Sequence, residues 1–167
     1  MRFLNVNIKG LNGLVHPALY NVKTTSSVRK MRPHIKMLCG DYYTYQLKAK
    51  YQGGSPNCKL CKISPEQNDN IENIEHILTQ CSAYSDIRQR IFLKMKHLCD
   101  QIPTVDFEEL LSNPRNLTQF LLDCTSLNLS NRINCLDENC SKMFDLSRDL
   151  CFSINKLRLK KLKDLQP

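Results

Sequence analysis

Four residues in the middle of the chain have the types and the spacing of metal ligands. Cys58 and Cys61 form a Cys-x2-Cys pair, and His76 and Cys81 follow after fourteen residues as a His-x4-Cys pair. A Cys-x2-Cys turn can bring two thiolates onto one ion, and three thiolates with one imidazole complete a tetrahedral shell. Because such a shell leaves no position for water or substrate, the pattern predicts one structural zinc ion.

The same four residues could instead be buried cysteines and a core histidine, since free cysteine is commonly a small buried residue. A Cys-x2-Cys pair alone would be consistent with that alternative. The additional His and Cys at finger-like spacing favour zinc. Ser55, Asn57 and the backbone amides around Lys59 and Lys62 are candidates for hydrogen bonds to the thiolates.

The other cysteines show no comparable pattern. Cys135 and Cys140 have no third ligand at a useful spacing, so a second metal site is not expected. Cys99 and Cys151 lie on or beside apolar helical stripes, which predicts core positions. The pattern assigns no chemical role to the cysteines outside the predicted zinc site: Cys39, Cys99, Cys124, Cys135, Cys140 and Cys151.

The start of the chain and the distribution of its apolar residues predict an intracellular protein. MRFLNVNIKGLNG interrupts its apolar residues with Asn and Lys, unlike a signal peptide, and no apolar run is long enough to cross a bilayer. Nine cysteines, an odd number with uneven spacing, do not resemble a disulfide framework. We therefore expect a nuclear or cytoplasmic protein that is not secreted and keeps its thiols reduced.

Apolar spacing predicts a mostly α-helical fold, because 3-4 spacing recurs and strand-like alternation is almost missing. In the first helical segment the expected buried stripe is Val28, Met31, Ile35 and Leu38. Pro33 interrupts this segment, because it lacks the N–H that a helix interior needs. The segment should therefore either bend at Pro33 or begin there.

Further helix signals divide the chain into three parts. A short helix is expected over residues 41–51, Asp69 and Glu72 have the pattern of a capping box, and the Asn-Pro pair at 113–114 should begin another helix. A last long helix should bury residues from Met143 to Leu157. The expected organisation is an irregular lead-in (1–24), a helical domain built around one Cys3His zinc knuckle (25–105) and a helical C-terminal extension (106–167).

The net charge of +8 is concentrated at the two ends of the chain. Residues 1–50 hold nine basic side chains and one acidic, and residues 151–167 hold five and one. Basic ends suggest an anionic partner such as RNA or single-stranded DNA, and solvated surface charge is an equally simple explanation. The candidate nucleic-acid-binding residues are Arg29, Lys30, Arg32, Lys36, Lys48 and Lys50.

Four tyrosines are interleaved with the last two of these lysines. Tyrosines can stack on unpaired bases while lysines neutralise phosphates. The alternative is that the tyrosines pack on the zinc knuckle, since buried tyrosine is common. The tyrosines are Tyr42, Tyr43, Tyr45 and Tyr51.

The stretch SPNCKLCK…NIEHILTQCSAYSDIRQRIF resembles the zinc-binding region that follows the reverse transcriptase in polyproteins of non-long-terminal-repeat (LINE-like, jockey- and I-type) retrotransposons. That family pattern is Cys-x2-Cys, a variable loop, an acidic residue before His-Ile-Leu, then Cys, a nearby Tyr and an Arg-rich helix. The matching residues are Cys58, Cys61, Glu75, His76, Ile77, Leu78, Cys81, Tyr84, Arg88 and Arg90. The similarity extends over about residues 14–155 and is specific around the knuckle.

The sequence departs from the family where the polymerase should be. It has no Tyr-x-Asp-Asp element, no room for a palm domain, and no endonuclease or ribonuclease H module. The resemblance therefore implies a fragment of such a polyprotein, whose parent domain helps to grip element RNA or target DNA.

These observations lead to one expected function and its alternatives. The expected function is a non-catalytic, zinc-stabilised nucleic-acid-binding module, a remnant of the tail of a retrotransposon polyprotein. The alternatives are a protein–protein adaptor and a non-functional transposon-derived fragment. An enzyme is not expected: no nucleophile motif or phosphate-binding Gly-rich loop is found, no small-molecule substrate is evident, and Asp106, Glu108 and Glu109 are typical of a solvated helix start.

Overall fold

The computed structural model describes residues 24–61, 70–101, 105–124 and 138–165. About 75% of these residues are helical and none forms a strand, which confirms the prediction of a mostly α-helical fold. The lead-in before Thr24 lies outside the described residues. The helices are α1 (Thr25–Leu38), α2 (Tyr45–Gln52), a π-helical turn (His76–Gln80), a 3-10 turn (Ser82–Tyr84), α3 (Ser85–Cys99), α4 (Phe107–Ser112), α5 (Pro114–Leu122) and α6 (Glu138–Lys163).

Helix α1 has defined signals at both ends. Thr24 and Ser27 form a reciprocal capping box, in which each side chain accepts a hydrogen bond from the other's amide. The helix includes Pro33, so the alternative of a start at Pro33 is wrong. It ends at Leu38, and Gly40 follows with a φ of +74°. This conformation completes a Schellman turn, in which the Gly40 amide donates to the Met37 carbonyl and the Asp41 amide donates to the Lys36 carbonyl.

The buried face of α1 differs from the predicted stripe. Leu38 is buried, but Val28 is 50% exposed, and His34 and Met37 are fully buried. His34 can occupy the core because its Nε2 lies 2.8 Å from the Leu122 carbonyl oxygen at the end of α5. Apolar spacing did not predict this face, because the sequence around His34 does not show that its ring has a hydrogen-bond partner inside the core.

Helix α6 packs against both α1 and α3, and α5 closes the core between them. The core contains Ile77 from the π-helical turn, Met95 from α3, Leu121 from α5 and Ile154 from α6, each fully buried. The helices of the C-terminal segment and those of the cysteine-containing segment therefore bury their side chains in one shared core. None of the described helices combines the length and the apolar character that crossing a bilayer requires.

Two predicted helix starts are seen as expected. The Asn113 side chain accepts hydrogen bonds from the amides of Arg115 and Asn116, and Pro114 is the first residue of α5. Asp106 caps α4 by accepting from the amides of Glu108 and Glu109. The three acidic residues at 106, 108 and 109 thus form an exposed helix start, where carboxylates are favoured by the helix dipole.

Candidate metal centre

A short extended pairing positions the first two cysteines. After α2 the chain turns at Gly53 and runs beside residues 70–72. The Cys58 amide donates to the Asn70 carbonyl at 2.8 Å, and the Glu72 amide donates to the Pro56 carbonyl at 2.9 Å. This pairing holds the Cys-x2-Cys turn against the segment that leads to the histidine.

The histidine and the last cysteine are positioned by the π-helical turn. The Asn73 side chain accepts from the His76 amide at 2.7 Å, and the Cys81 amide donates to the His76 carbonyl at 2.7 Å. A π-helical hydrogen bond joins residues five apart, so His76 and Cys81 lie nearly one above the other. The predicted capping role of Glu72 is wrong: Glu72 precedes the turn in extended backbone, and Asn73 is the residue that caps it, while Asp69 lies outside the described residues.

All four predicted ligands meet at one point. The Sγ atoms of Cys58 and Cys81 are 3.8 Å apart, those of Cys61 and Cys81 are 3.3 Å apart, and the Cys61 Sγ lies 3.2 Å from the His76 Nε2. All four ligand atoms lie within 4.8 Å of one another. A tetrahedral site with bonds of about 2.3 Å places its sulfurs about 3.8 Å apart, whereas a disulfide requires about 2.05 Å. The group therefore consists of free thiols that could hold one metal ion.

The thiols in this group interact strongly with one another. The pKa of the Cys58 thiol is lowered to about 3 by the hydrogen bond from Cys81, with further contributions from His76 and from the amides of Leu60 and Cys61. The same contact raises the pKa of the Cys81 thiol. These contacts favour the thiolate form within the group, and the thiolate is the form of cysteine that binds a metal cation.

Backbone amides supply the hydrogen bonds that surround the sulfurs. The amides of Leu60 and Cys61 donate to Cys58, next to the predicted position at Lys59, and the Ala83 amide donates to Cys81. Ser55 stabilises the backbone of the turn, because its Oγ accepts a hydrogen bond from the Asn57 amide at 3.2 Å. Lys62 lies outside the described residues.

Arg88 on α3 is a positive charge beside this cluster. Its side chain is buried, and its Nη1 has no hydrogen-bond partner among the described residues. Burial lowers the pKa of Arg88, while the nearby charges of Cys81 and Cys61 oppose that shift. Three thiolates around a divalent ion carry a net charge of −1, so the Arg88 guanidinium would balance the loaded centre.

A buried ion pair connects the metal-ligand segment to α6. The Arg158 guanidinium donates to the Glu72 carboxylate at 2.6 Å, with Glu72 fully buried and Arg158 only 3% exposed. The same carboxylate oxygen accepts from the Tyr45 amide at 3.0 Å, and the guanidinium lies over the rings of Tyr42 and Tyr45. Burial raises the pKa of Glu72, and Arg158 opposes that shift. Arg158, which the sequence placed in a basic terminal surface, is therefore a core residue.

The candidate nucleic-acid-binding residues all lie outside the core. Arg29, Arg32 and Lys36 are exposed on α1, and Lys30 is exposed but pairs with Asp149 of α6 at 3.0 Å. On α2, Lys48 is half-buried and Lys50 is exposed. The binding of nucleic acid by these six side chains stays a prediction.

No protein-family model matches the chain, and neither a curated protein nor a solved structure matches it. The resemblance to the retrotransposon region therefore stays a prediction from residues 58–90.

The buried ion pair generates a first prediction. Arg158→Met should destabilise the protein by about 3–5 kcal/mol, because it leaves the Glu72 carboxylate buried without its partner. Lys156→Met is the matched control, since Lys156 is exposed on the same helix and its loss should change stability by less than about 0.5 kcal/mol. Urea unfolding monitored by far-UV circular dichroism measures both. Equal midpoints for the two variants would contradict the assignment.

A second prediction concerns Arg88. Arg88→Met should lower the affinity of the centre for Co2+, used as a spectroscopic probe of tetrahedral thiolate sites, by about 10- to 100-fold, because the loaded centre loses its balancing charge. Competition against a chelator measures the affinity. Arg90→Met removes an exposed arginine from the same helix and should leave the affinity unchanged. If both variants weaken binding equally, the effect does not come from the buried guanidinium.

Proposed function

We propose that this protein is a non-catalytic, zinc-stabilised module that binds nucleic acid. The observation that carries the zinc assignment is the convergence of three cysteine sulfurs and one histidine nitrogen within 4.8 Å. Soft thiolate ligands in a tetrahedral arrangement suit zinc, and four protein ligands leave no open position for a reacting water. The metal then acts on folding, to which such sites contribute about 10–16 kcal/mol in small peptides.

Helix α1 supports the nucleic-acid part of the proposal. It carries four basic residues, Arg29, Lys30, Arg32 and Lys36, and no acidic one. Its opposite face, with His34 and Met37, is buried against the core. Exposed cations on one side of a packed helix can neutralise successive phosphates, which is the sequence-independent part of nucleic-acid binding.

We also propose that the chain derives from the tail of a retrotransposon reverse transcriptase polyprotein. The support is the residue pattern itself, from Cys58 through the Arg-rich helix that begins after Tyr84. Under this proposal the chain binds element RNA or target DNA and has no polymerase activity of its own. A fragment that has lost its function would still bind zinc and fold, but it would not bind nucleic acid.

A protein–protein adaptor is the second candidate, and one specific surface favours it. An apolar groove between α3 and α6 is lined by Leu93, Leu98 and Leu146, and Leu93 is 70% exposed. Contiguous exposed apolar surface is typical of interaction sites. An electrophoretic shift assay with total RNA, run beside a pull-down with the Leu93→Ser variant as control, separates the two candidates.

The zinc assignment predicts one zinc ion per purified chain. Cys61→Ser or Cys81→Ser should release the metal and reduce both helicity and the cooperativity of unfolding, since the turn and the helices it joins lose their shared ligand. Elemental analysis and far-UV circular dichroism of the same samples measure these effects. Cys39→Ser changes an exposed cysteine outside the cluster and should keep full occupancy. Full occupancy in the Cys58→Ser/Cys61→Ser variant would end this assignment.

The basic face of α1 predicts salt-dependent binding. Each phosphate contact adds about 0.7 to the log–log salt slope on single strands, so replacing Arg29, Arg32 and Lys36 with Ala should flatten the slope by about 2. All sequences should be weakened about equally, because these are phosphate contacts. Fluorescence anisotropy at several salt concentrations measures affinity and slope.

A charge-matched variant provides the control for this experiment. Replacing Arg90, Lys94 and Lys156 with Ala also removes three exposed cations, but from α3 and α6. It should change the slope far less than the α1 variant. Unchanged affinity and slope in the α1 variant, with helicity intact, would place the contact surface elsewhere.

A further inference from the structure

Helix α2 exposes aromatic surface that the core does not use. No residue of α2 is buried, and Tyr51 is 71% exposed. Tyr43, just before the helix, is 48% exposed. The other two tyrosines have partners within the protein: Tyr42 is buried with its hydroxyl on Asn155, and Tyr45 lies under the Arg158 guanidinium. The structure thus separates two available rings from two that pack beside the ion pair.

One lysine lies beside an exposed ring, and a second lies beside a ring that packs at the ion pair. The Lys50 ammonium is 5.3 Å from the centre of the Tyr51 ring, and the Lys59 ammonium is 5.1 Å from the centre of the Tyr45 ring. Residues 42–61 contain three lysines and no acidic residue. An exposed aromatic ring beside a lysine, with a second exposed ring and a second lysine in the same segment and no negative charge, is a combination that single-stranded nucleic-acid sites use.

This surface is firmly attached to the rest of the molecule. Thr44 caps α2, and the adjacent Tyr45 amide is bonded to the buried Glu72 carboxylate. Lys59 lies between two of the metal ligands, in a turn whose amides already donate to the Cys58 sulfur. The binding of a nucleic acid therefore does not have to order α2 first. Coordination of a metal ion by the cysteine cluster would also fix the turn that carries Lys59.

We propose that Tyr43 and Tyr51 stack on unpaired bases and that Lys50 and Lys59 contact the adjacent phosphates, so that this tyrosine–lysine surface selects single strands over duplexes. The inference rests on the proposed nucleic-acid-binding function and names its substrate class. A duplex hides its base faces inside the stack, so only an unpaired strand offers a ring for each tyrosine. Lys59 and the two exposed rings thereby complement the phosphate contacts of α1.

The test compares a twelve-nucleotide oligothymidine with a twelve-base-pair duplex, using the full zinc-loaded chain and fluorescence anisotropy. Tyr43→Leu/Tyr51→Leu should weaken binding to the single strand by at least about 30-fold and leave the salt slope and the duplex affinity unchanged. Tyr43→Phe/Tyr51→Phe keeps both rings and should bind like the unchanged protein. Lys50→Ala/Lys59→Ala should flatten the single-strand slope by about 1.4.

The outcomes separate this inference from the function on which it rests. If the leucine variant binds the single strand normally while the α1 triple variant loses affinity, the tyrosine–lysine surface is not the site and the proposed function stands. Equal losses on the two probes would overturn single-strand selection. If the unchanged protein binds neither probe, the proposed function and this inference both fail.

Discussion

The buried ion pair between Glu72 and Arg158 is the interaction on which the arrangement of the described residues depends. Removing either charge from water costs several kcal/mol, so neither side chain can be buried until the other is in place. Glu72 lies in the extended segment that pairs beside Cys58, and Arg158 lies near the end of α6. Closing the metal-ligand turn and docking the last helix are therefore parts of one cooperative step. The Tyr45 amide on the same carboxylate adds α2 to that unit.

The metal centre and the ion pair constrain different contacts of the same segment. Coordination would join residues 58–61 to residues 76–81, while the ion pair joins residue 72, between them, to a helix 86 positions later. The core is built from few aromatic residues, because the chain has six Phe, six Tyr and no Trp. A small core of this kind gains from cross-links that do not depend on apolar area. Arg88 provides a further contact of this kind, since its buried charge is favourable only beside the anionic cysteine cluster.

The sequence alone predicts a structural feature where local chemistry restricts which residue types can form it. Metal ligands must be of a few residue types at a few spacings, and a cap must precede its helix, so the cluster at Cys58 and the cap at Asn113 could be predicted. The sequence does not predict the burial of a polar residue whose partner lies far away along the chain. His34 is buried because its Nε2 is hydrogen-bonded to the Leu122 carbonyl, and Glu72 and Arg158 are buried because they pair with each other. Local patterns assigned Glu72 to a helix cap and counted Arg158 among the basic residues of the C-terminal end, since no window of sequence contains both members of the pair.

The same long-range pairing changes what the net charge means for function. Three arginines, Arg88, Arg148 and Arg158, are each at most 9% exposed, so their charges are committed within the fold. The described segment 24–61, in contrast, carries seven basic residues and one acidic, and none of those basic side chains is buried. A polyanion interacts with exposed cations rather than with the formal net charge, and of these seven residues Lys30 is paired with Asp149. Among the described residues, exposed positive charge is therefore concentrated in α1 and α2, and burial of Arg158 leaves the basic C-terminal sequence with less exposed charge than its composition suggests.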